Sequence, residues 1–272
     1  MERGTPGSAP HADALLRRSD AEVAVIGSSV ALLDIRPQLL ADELGVEVVD
    51  VGILGAPVAV TAMRSRALIG TEVRRFVLVV AGADLATEVP ARRIRSYDPE
   101  VALELFGWRG LLAERDVHLD RLLGWVSVAW RQRHLPRKLF FAEPGIHPRD
   151  RRSTEGRGEL LRRARERHRA LEWTETSANA RGLVRLATRL HEAGRELIVV
   201  PAPQDPRVSG DAVDHALIGL LAALEARAPF RLVVPSGWPV WKSKHFRDPI
   251  HLAPEGQRLF TRGLATELQE PR

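Results

Sequence analysis

Short apolar runs rich in β-branched residues alternate with amphipathic segments along this chain of 272 residues. Each run is closed by glycine, proline or a polar residue, which is typical of buried strands in a parallel sheet. We expect five such strands: EVAVIG (22–27), VEVVDVG (46–52), RFVLVVAG (75–82), ELIVVPAP (196–203) and FRLVVPS (230–236). Strands that alternate with helices are joined by right-handed crossovers. The pattern therefore predicts a doubly wound α/β/α sandwich of three layers.

One connection is much longer than the others. About a hundred residues separate the third and fourth strands, too many for a plain crossover. We expect a single α/β domain over residues 1–272, interrupted by a helical and loop insertion over 86–158. Trp125 and Trp130 lie beside arginines in this insertion. That pattern is found at membrane interfaces and, more commonly, in helices packed onto their own domain.

Composition narrows the class of protein. The 40 basic and 35 acidic residues give a net charge of +5, but the arginines alternate with glutamates at helical spacing. Nucleic-acid binding requires basic residues clustered with stacking aromatics, so we expect no nucleic-acid partner.

The chain has no cysteine, which excludes disulfides and a thiolate nucleophile. The N-terminus lacks the apolar core of a signal peptide and no run approaches the roughly 20 apolar residues of a spanning helix, so we expect a cytoplasmic protein.

An aspartate and a histidine stand three residues apart in the stretch HFRDPIHLAPEGQ. Pro249 disfavours helix for Asp248, and Pro254 is well placed to begin a helix, so Asp248 and His251 are predicted to lie on a turn before the last helix. At this spacing the carboxylate can accept a hydrogen bond from one imidazole nitrogen and leave the other free to take a proton. The pair lacks only a nucleophile to form a catalytic triad.

A Gly-Ser-Ser turn lies where the first strand meets the following helix. Gly27 permits a sharp bend, and the N–H groups of a helix N-terminus stabilise an oxyanion. Serines also cap helices, so Ser28 or Ser29 could serve only as a cap. Combined with Asp248 and His251, the turn predicts that Ser29 is a nucleophile, with a ring nitrogen of His251 within hydrogen-bond reach of its hydroxyl.

Two other chemistries fit parts of the sequence less well. His245, Asp248 and His251 could hold a metal together with Asp84 or Asp205, but this spacing is unspecific and the serine turn would then be unexplained. The glycines of VGILGAPV lack the third glycine and the acidic residue of a dinucleotide fingerprint. We therefore expect neither a metal nor a cofactor.

Taken together, these motifs resemble the sequence blocks of the SGNH (GDSL-type) hydrolase superfamily. GSSV resembles the first block, with Ser28 in the aspartate position and Ser29 as nucleophile, and DPIH matches the last block in full. VVDVGILGAPV resembles the second block, whose glycine N–H, here that of Gly55, donates to the oxyanion. The resemblance covers most of the chain outside residues 86–195. It implies a flavodoxin-like sheet.

The third block departs from the family pattern. Family members usually show Gly-x-Asn-Asp, the asparagine amide being an oxyanion donor, whereas GADL puts Asp84 in the asparagine place. An ionised aspartate repels an oxyanion. We expect that Asp84 is protonated, or that it caps a helix beginning at LATEV and leaves the backbone N–H groups of Ser29 and Gly55 as donors. Losing one donor costs about 10²- to 10³-fold in rate, which slows a catalyst without inactivating it.

The resemblance implies a serine-dependent hydrolase acting on a small-molecule or carbohydrate ester. Ser29 would attack the carbonyl, His251 would transfer the proton and Asp248 would orient His251. One alternative is an O-acyltransferase that modifies a carbohydrate hydroxyl, since the long insertion resembles those relatives. The other is a non-catalytic binding domain on the same fold, which Asp84 suggests.

Overall fold

A computed structural model describes residues 8–86, 101, 103–105, 157–209, 215–234 and 241–269. Its strands are β1 (Val23–Gly27), β2 (Val48–Asp50), β3 (Arg75–Val80), β4 (Glu196–Pro201) and β5 (Arg231–Leu232). Its helices are α1 (Ala9–Leu16), α2 (Ser29–Asp34), α3 (Pro37–Leu44), α4 (Val58–Ala62), α5 (Ser65–Ile69), α6 (Gly82–Ala86), α7 (Arg157–Arg169), α8 (Ala178–Glu192), α9 (Pro206–Ser209), α10 (His215–Glu225) and α11 (Pro254–Gln269). A short 3₁₀ helix covers Ser243–His245.

The five strands form one parallel sheet in the order β2-β1-β3-β4-β5. This is the flavodoxin-like order, in which ligands bind beyond the carboxyl ends of the strands near the point where the strand order reverses. All five strands were predicted. The edge strands β2 and β5 are shorter than the apolar runs that predicted them, with three and two residues. The paired residues of β2 end at Asp50, whose side chain accepts the Gly52 N–H at 2.8 Å, although the Ile53 N–H still donates to the carbonyl of Gly27 at 2.9 Å.

Apolar side chains leave both faces of the sheet and pack under helices, which confirms the predicted three layers. Because neighbouring residues of a strand point to opposite faces, Ile26 and Leu78 enter one core, beneath α4, α5, α8 and α10. Val25 and Val79 enter the other, beneath α2, α3 and α11. Helices α2 and α11 therefore share one layer, and this sharing brings the two ends of the candidate site together.

The insertion predicted over 86–158 falls mostly outside the described residues, as do Trp125 and Trp130. Where the chain is described again, α7 carries the interleaved charges noted in the sequence. Arg162 pairs with Glu159 and Glu166 at 2.7 and 2.5 Å on an exposed helix face. Within the described ranges, every helix is too short or too polar to cross a membrane.

Candidate active site

The Gly-Ser-Ser turn joins β1 to α2 at the carboxyl edge of the sheet. Gly27 has a φ of 137°, and a Cβ on it would lie 2.5 Å from the carbonyl oxygen of Val79, so this bend requires glycine. Ser28 is the N-cap of α2 and its hydroxyl accepts the Val30 N–H at 3.5 Å. Ser29 is the first residue of the helix. The capping role that the sequence left open between the two serines therefore belongs to Ser28.

The Asp-Pro-Ile-His turn reaches across the edge of the sheet to this serine. His251 Nε2 lies 2.9 Å from Ser29 Oγ, within the hydrogen-bond reach expected from the sequence, although 222 residues separate the two. His251 Nδ1 lies 3.0 and 2.9 Å from the two carboxylate oxygens of Asp248. The three side chains thus form a continuous hydrogen-bonded chain from carboxylate to hydroxyl.

Asp248 organises the turn as well as the imidazole. Its Oδ1 accepts the backbone N–H groups of Ile250 and His251 at 2.9 and 2.8 Å. Burial opposes the ionisation of Asp248, but the hydrogen bonds from the His251 ring and from these two N–H groups together hold its pKa below the ordinary value. Asp248 is therefore ionised at neutral pH and able to stabilise a positive charge on the imidazole.

The turn is fastened to the helix that carries the serine. Asp34, the last residue of α2, accepts the Leu252 N–H at 2.8 Å. One turn into α11, the Gln257 amide donates to the carbonyl of Leu33 at 2.7 Å. Because these bonds join α2 to Leu252 and to the start of α11, they hold Ser29 and His251 in a common framework.

The Asp34 carboxyl is fully buried, and its Oδ2 has no hydrogen-bond partner among the residues that the structure describes. Burial raises the pKa of Asp34 to about 7, against the opposing effect of the Leu252 N–H. The folded protein therefore keeps a proton on Asp34 at pH values where an unfolded aspartate, with a pKa of 3.8, has lost it. The stability that this proton contributes is complete below about pH 4 and is lost as the pH rises to about 7.

Asp34→Asn should remove this part of the pH dependence, because the amide cannot ionise. We expect the difference in unfolding free energy between pH 5 and pH 8 to shrink by on the order of 2 to 3 kcal/mol in the variant. Urea unfolding at the two pH values measures it. Asp42→Asn, on the exposed side of α3, is the matched control and should leave the difference as it is in the wild type. Parallel behaviour of Asp34→Asn and the wild type would contradict a buried, protonated Asp34.

The predicted oxyanion donors are two backbone N–H groups, those of Ser29 and Gly55. Ser29 is the first residue of α2, where a helix leaves its N–H groups without internal partners. Gly55 lies on the exposed turn after β2, with a φ of 61°. Among the described residues neither N–H has a hydrogen-bond partner. Their role as oxyanion donors stays a prediction.

Asp84 lies beside the serine turn but does not act as the predicted cap. Helix α6 begins at Gly82 and not at Leu85, so Asp84 lies inside its first turn. Asp84 Oδ2 accepts both the hydroxyl of Ser28 at 2.7 Å and the N–H of Ala81 at 2.9 Å. Burial raises the pKa of Asp84 to about 6, more strongly than these hydrogen bonds lower it. The carboxyl is therefore mostly ionised at pH 8 and mostly neutral at pH 5.

Asp84→Asn should increase the rate of ester hydrolysis, because the amide removes a negative charge near the oxyanion and offers a donor instead. Both hydrogen bonds reach a single oxygen of Asp84, so an asparagine oxygen can keep them while its NH₂ replaces the other. We expect about a tenfold rise in kcat at pH 8 and a smaller one at pH 5, where Asp84 is already neutral. Turnover of p-nitrophenyl acetate at both pH values measures this. Asp20→Asn, on the exposed chain before β1, is the control, and an unchanged or lower rate in Asp84→Asn would assign Asp84 to holding Ser28.

Some solved structures of other proteins are distantly similar to this chain. No family model and no curated protein matches the chain. A solved structure from Desulfitobacterium hafniense, provisionally described as a lipolytic protein of the G-D-S-L family, aligns with 10% identity and a TM-score of 0.43 over 90% of this chain and 98% of its own. One from Streptococcus pneumoniae, provisionally described as a platelet activating factor, aligns with 13% identity and a TM-score of 0.45 over 96% of this chain and 90% of its own. At these identities neither likeness bears on which residues form the site.

The side chains proposed as an alternative metal site are engaged elsewhere. His245 is buried, and its Nδ1 accepts the N–H of Lys242 at 3.1 Å. Asp205 is buried and accepts hydrogen bonds from Arg207 and from the hydroxyl of Ser243. In the portion of the chain that the structure describes, no three His, Asp or Glu side chains come together as a metal site would require.

Two polar side chains near the triad were missed from the sequence. Asp34 is the only acidic residue in the apolar segment SVALLDI. A single acidic residue in an apolar helix can indicate a buried carboxyl group with a specific partner. Gln204 follows β4 at the carboxyl edge of the sheet, where ligand-contacting residues are expected. Neither belongs to a short motif, so neither has a sequence signature.

Proposed function

We propose that this chain is a serine-dependent hydrolase of carboxylic esters. The observation that carries the proposal is the hydrogen-bonded chain in which His251 bridges Asp248 and Ser29, with 2.9 Å between Nε2 and Oγ. A nucleophile activated by a base that a third group orients is the arrangement by which serine hydrolases work on unrelated folds. The position of Ser29 at the carboxyl edge of β1 adds support.

The proposed reaction has two halves. Ser29 Oγ attacks the ester carbonyl carbon while its proton passes to His251 Nε2, and the N–H groups of Ser29 and Gly55 donate to the oxygen that gains negative charge. The tetrahedral intermediate collapses when the imidazolium returns the proton to the leaving alcohol, which leaves an acyl-serine. A water that His251 deprotonates then attacks the acyl carbon, and the imidazolium returns this proton to Ser29 Oγ as the acid is released. Asp248 keeps the proton on Nδ1 and stabilises the imidazolium in both halves.

A fluorophosphonate probe tests the proposal, because it reacts covalently with activated serines. We expect the wild type to be labelled at one site, identified by mass spectrometry as Ser29. Labelling should be absent in Ser29→Ala and should persist in Ser28→Ala, which loses only the cap of α2 and the bond to Asp84. Labelling that survives Ser29→Ala and disappears in Ser28→Ala would assign the nucleophile to the other serine. A folded wild type that takes up no label would instead indicate a binding domain without catalysis.

A further inference from the structure

A cavity of about 450 Å³ opens beside the triad, in the size range of small-molecule sites. Asp248 and His251 form part of its wall, so a group bound there lies next to the proposed reaction centre. Most of the remaining wall is apolar and comes from three elements: the residues after β3, helix α7 and the Asp-Pro-Ile-His turn. Ala83, Leu160 and Ile250 are examples. Such walls favour an apolar part of a substrate.

One buried polar side chain interrupts this apolar wall. Gln204, three residues beyond β4, lines the cavity with 8% of its surface exposed. Its carboxamide makes no hydrogen bond to any residue that the structure describes. Its polar atoms are not among the fully buried side-chain atoms that lack a partner, so they reach the cavity, where a ligand can bind them in place of water. The two arginines on the wall, Arg163 and Arg167, are by contrast exposed on α7.

Gln204 lies beside Gly82 and the ring of Trp173. The Trp173 indole N–H donates to the carbonyl of Gly82 at 2.9 Å, which holds the ring over that glycine. A Cβ on Gly82 would lie 2.9 Å from the Trp173 ring and 3.4 Å from Gln204 Nε2. The amide nitrogen of Gln204 therefore lies beside Gly82, close to the Trp173 ring.

We propose that Gln204 determines specificity by binding an uncharged hydrogen-bonding group of the ester substrate, an amide or a hydroxyl, within a cavity whose wall is largely apolar. A carboxamide presents an acceptor oxygen beside a donor NH₂, which matches an amide or a hydroxyl. The substrate class is then an ester with an apolar chain interrupted by one such group. A site built to hydrogen-bond a substrate discriminates strongly against the analogue that lacks the group, because its own polar atoms are left unpaired. The inference rests on the proposed hydrolase function.

Matched p-nitrophenyl esters test this proposal. The amide members are esters of N-acetyl-β-alanine and of 4-acetamidobutyrate, and each is compared with a branched alkanoyl ester of the same shape, 5-methylhexanoate or 6-methylheptanoate. We expect the wild type to favour at least one amide ester over its hydrocarbon partner by about tenfold to hundredfold in kcat/KM. Gln204→Leu should abolish or reverse this preference while it hydrolyses the hydrocarbon esters at least as well as the wild type does.

Gln269→Leu is the matched control, because the same exchange is made on an exposed residue at the end of α11. It should keep the wild-type preference. Equal hydrolysis of both members in each pair by the wild type, or a preference that survives Gln204→Leu, would overturn the proposal. p-Nitrophenyl acetate, whose acyl group is too short to fill the cavity, separates the two hypotheses. Hydrolysis of the acetate without amide preference removes this inference alone, whereas failure on every ester removes the proposed function and the inference with it.

Discussion

Ser29→Ala should lower kcat for p-nitrophenyl acetate by about 10⁴- to 10⁶-fold, the scale of loss when a serine hydrolase loses its nucleophile. The reason is geometric: Ser29 Oγ is the hydroxyl that lies 2.9 Å from His251 Nε2. The remaining rate would come from the backbone donors and from His251 acting on water directly. Steady-state kinetics with matched thermal unfolding curves separate a chemical effect from a folding effect.

Ser28→Ala is the control for that experiment, since the two serines are adjacent and similar in size. Ser28 caps α2 and donates to Asp84, so its loss should lower stability by about 1 kcal/mol, the usual effect of removing a helix cap. We expect kcat to stay within about tenfold of the wild type, because the oxyanion donors and the triad remain. A loss in Ser28→Ala as large as in Ser29→Ala would contradict the assignment of separate roles.

Asp248→Asn should lower kcat by about 10⁴-fold, the effect seen when the carboxylate of a catalytic triad becomes an amide. The carboxylate accepts a hydrogen bond from His251 Nδ1, and its negative charge stabilises the imidazolium formed during attack. An amide has no such charge and can donate to Nδ1, which favours the tautomer with its proton on Nε2. That tautomer cannot accept the proton of Ser29.

The same variant should still fold, because an asparagine oxygen can accept the N–H groups of Ile250 and His251 that Asp248 Oδ1 accepts now. Thermal unfolding within a few degrees of the wild type would confirm this. Fluorophosphonate labelling should be slowed in parallel with kcat, since both depend on the same base. A loss of less than about tenfold in kcat would indicate that Asp248 only shapes the turn.

The sheet could be predicted from sequence because its central strands are buried on both faces. β1, β3 and β4 are continuous apolar runs with buried residues throughout most of their length, and helices between parallel strands fix the layer arrangement. The edge strand β2 was predicted too long because the run 46–52 extends beyond the residues that pair with β1. Apolar composition reports burial, and it does not report which residues pair.

The candidate site was only partly predictable, for a different reason. Ser29 and His251 stand in short motifs whose local turns fix where each side chain points. The contact of Asp34 with Leu252 joins residues 218 apart, and the bond from Ser28 to Asp84 crosses from β1 to β3. Such contacts depend on how the layers pack, which no local pattern encodes. The location of the Gln204 carboxamide on the cavity wall likewise follows from the packing of several elements, and the sequence around Gln204 does not indicate it.

The long separation between nucleophile and base has a consequence for how the protein is made. A ribosome completes Ser29 222 residues before His251, and at about 5 to 20 residues per second that interval lasts about ten seconds or more. During this time the four strands that follow β1 are synthesised, while His251 is not yet present beside Ser29. Under the proposed function, a nascent chain would be inactive, and hydrolysis would begin only when the last helix docks and brings the imidazole to Ser29.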